Sequence, residues 1–265
     1  MAALHSFWGA SKGSIEWCEQ NYAVSPYIAE FWNCITNIPM IILAGIGLAS
    51  AIRQRFEKRF SILWLMMVTI GIGSALFHAT LKHVQQQSDE TPMVWAILVY
   101  IYVLFSPDWH YTNAMPIFLF LYGTCFAIIH SQFRFVIGFQ IHYAFLVSLC
   151  LPRMYKYYLH CNSPVAQHVA ELYIYTLILG VACWLVDRSF CDLLQSFPVN
   201  PQGHAWWHVF MGFNSYYGIT FLEYCRASQL RWNPTVVYWW GLPYVHVKKG
   251  AAREQAVSNG LSKVD

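Results

Sequence analysis

What most constrains this chain is a succession of seven apolar segments separated by short polar stretches. By hydropathy and length they fall at 33–52, 60–80, 92–107, 114–130, 135–152, 169–187 and 204–225. Each is close to the roughly 17–25 residues that an α-helix needs to cross a bilayer. A backbone in lipid must satisfy its hydrogen bonds internally, so such segments form helices. The expected fold is therefore an all-α membrane protein, a seven-transmembrane-helix bundle. Only 11% of residues are charged, against 57% that are hydrophobic; a soluble domain carries about 25% charge. The mean hydropathy of +0.38 agrees. Twelve Trp and 17 Tyr suit aromatic belts at two membrane surfaces. A net charge of +3, without a polybasic run, offers no surface for nucleic acid.

Small residues recur in the first two segments (AGIGLAS, GIGSA), as close helix packing requires. Pro92 and Pro116 fall near the starts of the third and fourth, where proline is tolerated. MAALHSFWGASKGSIEW has no apolar core of a signal peptide, so the first helix is expected to direct insertion.

The basic residues set an orientation. The amino terminus and even loops hold four: Lys12, Lys82, Arg134 and Arg188. The odd loops and carboxyl terminus hold twelve: Arg53, Arg55, Lys58, Arg59, Arg153, Lys156, Arg226, Arg231, Lys248, Lys249, Arg253 and Lys263. The richer side faces the cytosol, so the amino terminus is expected to be lumenal and the carboxyl terminus cytosolic. This divides the chain into a lumenal acidic segment (1–32), a transmembrane domain (33–225) and a cytosolic tail (226–265), polar and without apolar periodicity after Lys248.

Ionisable residues inside a membrane are costly and mark function. In this orientation Ser74 and His78 lie one turn apart near the lumenal end of the second helix. Asp89 lies just before the third, and His204 and His208 share one face at the start of the seventh. The basic residues alone set the orientation, yet it gathers all five groups in one layer. A single membrane histidine more often hydrogen-bonds a neighbour, and His142 is read so. HxxxH alone is weak; with SxxxH and an aspartate at one depth it points to zinc. Three neutral imidazoles match a catalytic zinc that keeps one position open for water. Asp89 would carry the water's proton to the leaving group or fix a histidine tautomer; spacing does not separate these roles. Ser74 would donate to the developing oxyanion. A site within lipid selects a lipid amide or ester.

Ahead of the first helix, SIEWCEQNYAVSPYIAEFWN offers Glu16, Glu19, Asn21 and Glu30. With a backbone carbonyl near Trp17 they could surround Ca²⁺, which takes 6–8 oxygens. The bland alternative is a solvated acidic turn before a helix. Of the cysteines, Cys34, Cys125, Cys150, Cys183 and Cys225 read as small core hydrophobes, and Cys161 as a reduced loop thiol. Cys18 and Cys191 both fall on the lumenal side. A disulfide between them would tie the acidic segment to the loop before the last helix.

From EWCEQNY and YIAEFWN through GIGSALFHATL and SDETPM to WLVDRSFC and GHAWWHVFMGF, the chain resembles the alkaline ceramidases, related to adiponectin-receptor-like seven-helix hydrolases. RQRFEKRFSIL, QQQSDETPMVW, SPDWHY and PVNPQGHAWWHVF look most like the plant branch. The resemblance implies zinc at His78, His204 and His208, catalytic roles for Ser74 and Asp89, and calcium at Glu16, Trp17, Glu19, Asn21 and Glu30. The first calcium position is Asp in some relatives and Glu here. It also implies the Cys18–Cys191 bridge. The implied reaction is hydrolysis of ceramide, with phytoceramide as the plant-type substrate, in the endoplasmic reticulum or Golgi membrane. A receptor on the same scaffold is the alternative; the short lumenal amino-terminal segment argues against it. HxxxH on one helix does not suit bis-histidine haem, and a single polar layer does not suit a transporter.

Overall fold

The computed structural model describes residues 6–109 and 114–247. In chain order the elements are α1 (Phe31–Ile35), α2 (Asn37–Arg53), α3 (Lys58–Thr80), α4 (His83–Trp109), α5 (Ala114–Phe133), α6 (Val136–Leu159), α7 (Pro164–Ser189), α8 (Cys191–Gln195), α9 (Gly203–Gln229), β1 (Pro234–Trp239) and β2 (Leu242–Val247). Six stretches are long and apolar enough to cross a membrane: α1 with α2, α3, α4 up to Ser106, α5, α6 and α7. The fold is thus a mostly helical, multi-pass membrane protein. Its outside is oily: Phe118, Leu121, Ile137, Ile141 and Phe145 on α5 and α6 stand exposed. A patch of this extent is a surface for lipid, not water.

The last long helix, α9, is not among the six. Its 27 residues would span about 40 Å at 1.5 Å per residue. What it lacks is apolarity, and the reason is internal. His204, His208, Asn214, Thr220 and Glu223 are all buried against α2, α3 and α7.

Two expectations need correction. Asp89 does not precede the third helix; α4 starts at His83, so Asp89 lies inside it. KHVQQQSDETP reads as a loop because it is polar. Yet Gln86 and Glu90 are buried: Gln86 accepts the Ser14 N–H at 2.8 Å and donates to Glu90 at 3.0 Å. Pro92 is therefore interior to α4, and Pro152 is interior to α6. The fold is also not all-α, because β1 and β2 pair as an antiparallel hairpin. Its two-residue turn is Trp240–Gly241, with φ of 50° and 81°. Positive φ at both positions belongs to a type I′ hairpin, which glycine favours. Beyond residue 225 the chain is folded as far as Val247. α9 runs on to Gln229, and Val245 and Val247 are buried where the hairpin packs on α9 and α2. Lys248, Lys249, Arg253 and Lys263, with the rest of the tail, lie outside the described residues.

The amino-terminal segment docks on the end of α3. Ala29 and Glu30 donate their N–H groups to Ala79 O and His78 O at 3.0 and 2.9 Å, and Lys12 and Gly13 donate to Leu81 O.

Candidate active site

Three packed helices build the site. α3 carries Ser74 and His78 a turn apart, α4 carries Asp89, and α9 carries His204 and His208 in its first two turns. The close approach of α3 and α4 depends on Gly73, where an added Cβ would collide with the Ser88 carbonyl group. The next residue along each helix is then Ser74 and Asp89, and these two side chains hydrogen-bond.

The three imidazoles converge. Ring centroids are 4.5 Å apart for His204–His208, 4.8 Å for His78–His208 and 5.1 Å for His78–His204. One ligand atom from each lies within 4.8 Å of the others, and no other such group of His, Cys, Asp or Glu occurs among the described residues. His78 is 0% exposed and the other two 4%.

Each ring is held from behind. His78 Nδ1 meets Glu30 Oε2 at 2.5 Å, and Asn33 donates to the same oxygen at 3.2 Å. A proton on Nδ1 leaves His78 Nε2 with its lone pair free; that nitrogen is buried without a partner. His208 Nδ1 lies 3.2 Å from Thr36 Oγ1 and 3.4 Å from Asn37 Nδ2, and its Nε2 is 3.5 Å from Ser74 Oγ. His204 stacks on the Trp17 indole at 3.4 Å and 12°, and its Nδ1 is buried and unpartnered. Unpartnered polar atoms in a dry interior are costly. Two of them on converging imidazoles fit a metal ion, and an all-histidine set of three suits zinc chemistry.

The acidic segment is arranged less simply. Glu19 is buried and caps α1, its two oxygens accepting from Trp32 N at 2.7 Å and Asn33 N at 2.9 Å. Glu30 is fully buried and accepts from the Trp17 N–H, and Glu16 is exposed. Glu30 Oε1 and Asn21 Oδ1 are buried oxygens with no partner. Burial pushes the Glu30 carboxyl up to about 8, and the charge of Glu16 adds to this. Burial likewise pushes Glu19 up to about 7, with Glu30 adding. Crowded carboxylates beside orphan oxygens fit a hard cation, although the three carboxylates do not themselves close into a cluster as tight as the histidines.

The Cys18–Cys191 bridge is formed. Its surroundings include a residue that the sequence reading passed over. Asp187, 2% exposed on α7, accepts the Cys18 N–H at 3.2 Å and the His204 N–H at 3.1 Å. It thereby fixes the start of α9 and the acidic segment to one carboxylate. The Cys18 carbonyl accepts from Asn200 at 2.8 Å and Gln195 at 3.3 Å. The signal was present, since an aspartate within an apolar segment rarely lacks a task. Also unforeseen is the buried Glu90–His130 pair at 2.5 Å, which ties α5 to α4. His142 bonds Tyr122 at 2.6 Å, away from the site, as expected of it.

A helical membrane protein with a buried, metal-compatible histidine triad beside a serine–aspartate pair belongs to the class of intramembrane hydrolases. The ceramidase family model matches residues 9–246. The chain is 60% identical over 247 residues to an alkaline ceramidase of Arabidopsis thaliana, covering 93% of this chain and 97% of that one. It is 33% identical to alkaline ceramidase 3 of Mus musculus, covering 89% and 92%. Against an alkaline ceramidase of Drosophila melanogaster the identity is 27%, covering 88% and 87%. The chain belongs to the ceramidase family, among its alkaline members, and is a hydrolase acting on a linear amide C–N bond.

Proposed function

We propose that this protein hydrolyses the amide bond of ceramide, giving a sphingoid base and a fatty acid, with zinc held by His78, His204 and His208. The observation that carries this reading is the buried triad with two unpartnered ring nitrogens, in a family of ceramidases. Zinc, when bound, would supply a Lewis acid and an activated water. The chain's own residues do the rest. Glu30 locks His78 in the tautomer that turns Nε2 inward. Ser74, next to His208, gives its one O–H to Asp89 at rest and turns it to the oxyanion that develops on the amide carbonyl once Asp89 is protonated. Asp89 takes the proton released by water and delivers it to the departing amine. Glu30 is the carboxylate that partners His78, which supports the proton-transfer role for Asp89 over that of orienting that ring. A receptor role is not favoured, since the matching relatives are named as ceramidases.

We extend the reading in four respects. α9 is the seventh span, the amino terminus is lumenal and the residues beyond 225 lie on the cytosolic side. Glu16, the Trp17 carbonyl, Glu19, Asn21 and Glu30 bind Ca²⁺. Phytoceramide is the preferred substrate, and the membrane is that of the endoplasmic reticulum or Golgi.

Purified protein is expected to release a sphingoid base from ceramide and to carry about one zinc per chain by metal analysis. Zinc-loaded protein that leaves ceramide intact would overturn the substrate assignment. At fixed zinc, a calcium-selective chelator is expected to lower turnover, because Glu30 faces both the acidic segment and His78. Turnover indifferent to the chelator would remove calcium from the scheme.

A further inference from the structure

We infer that the β1–β2 hairpin is a membrane-seated element: its Tyr238–Trp239–Trp240 tip docks at the boundary between headgroups and acyl chains, at the end of the bundle opposite the histidines. The argument starts with depth. The base of the hairpin is level with the end of α2, where Val247 N donates to Gln54 Oε1 at 3.3 Å. Near the tip, the Pro243 carbonyl accepts from Tyr216 Oη at 3.0 Å. The Tyr216 ring lies 5.4 Å from that of Trp64, and Trp64 covers Gly47. Gly47 is six residues before Arg53, and Trp64 is six after Lys58. At 1.5 Å per residue, both lie about 9 Å inside the helix ends. The hairpin therefore folds back along the bundle and does not project away from it.

At that depth the middle of the hairpin is covered and its tip is bare. Val245 is 0% exposed, whereas Tyr238, Trp239 and Trp240 are 49%, 56% and 90% exposed. On α3, Ile62 and Leu65, four and seven residues after Lys58, are exposed and apolar. Full immersion is disfavoured, because a two-stranded hairpin has unpaired outer edges that hydrocarbon cannot satisfy. Exposure to water is disfavoured by three adjacent bare aromatic rings. The boundary layer satisfies both terms, and it is where Trp and Tyr concentrate. Arg53, Arg55 and Arg231 at the same end suit anionic headgroups.

The test uses the whole protein in lipid nanodiscs, comparing wild type with a Trp239→Phe/Trp240→Phe variant. Phenylalanine keeps the rings but removes the indole emission, so the difference spectrum reports the tip; unchanged ceramide turnover checks the fold. The difference emission is expected to be blue-shifted. It should lose most of its intensity with lipids brominated near the glycerol end, less with lipids brominated near the chain terminus, and little with aqueous iodide. Quenching by iodide but not by brominated lipid would place the tip in water. Quenching by neither would place it against protein. Either result overturns the inference.

Discussion

His208→Ala is expected to abolish ceramide hydrolysis and to strip the metal from the protein in the same step. His208 Nε2 lies 3.5 Å from Ser74 Oγ, and Thr36 and Asn37 hold the far side of the ring. Without it, two imidazoles remain where a catalytic zinc takes three protein ligands. The loss should be local. The ring lies in the first turns of α9, while much of that helix's buried surface lies beyond it, at Tyr216, Ile219, Phe221 and Leu222. Metal analysis and sphingoid-base release on one purified sample check both halves. His142→Ala is the control, since that ring pairs with Tyr122 outside the site. Full turnover in His208→Ala would exclude the metal mechanism.

Gly73→Ala should cost activity by a different route. The added methyl meets the backbone of Ser88, which cannot swing aside as a side-chain tip can. α3 and α4 must separate, at a cost of about 1–3 kcal/mol for an overpacked contact. Ser74 and Asp89 are carried on those two helices, so their hydrogen bond is lost with the spacing. A displacement of about 1 Å can lower turnover roughly 10²-fold. Zinc content should persist, because none of the three histidines belongs to α4. Gly45→Ala, where an added Cβ touches nothing within 4 Å, should leave turnover unchanged. If Gly73→Ala matched Gly45→Ala, the helix spacing would not govern the chemistry.

These two substitutions also mark what the sequence made legible. The histidines could be read because imidazoles are rare in lipid and two of them share one helix face. Gly73 could not be assigned its part, because a small residue in GIGSA signals close packing without naming the partner. Asp89 was placed outside its helix because hydropathy reports the average of all sides. QQQSDET is polar on average, yet it turns Gln86 and Glu90 inward. α9 illustrates the same effect on a larger scale: it is long enough to span and reads as a seventh segment, yet its internal polarity keeps it from ranking with the six apolar spans. Asp187 was visible as an aspartate in an apolar run, but its partners are backbone N–H groups at Cys18 and His204, which no side-chain pattern encodes. The hairpin's signal was local, a glycine at a two-residue turn between β-branched and aromatic residues, and reading 226–265 as a tail passed over it.

The clamp on Cys18 has a consequence for biosynthesis. Its N–H, carbonyl and sulfur are held by Asp187, by Asn200 and Gln195, and by Cys191, the last 173 positions away. Cys18 is thus held only once residues 173 positions further along have been made. Two of the three histidines follow later still, in α9. A nascent chain holds Ser74, His78 and Asp89 before α9 is made but has no complete histidine triad until then. In the proposed mechanism a chain that stops short of α9 would lack two of the three metal ligands, and the centre would close only when the acidic segment and α9 have met.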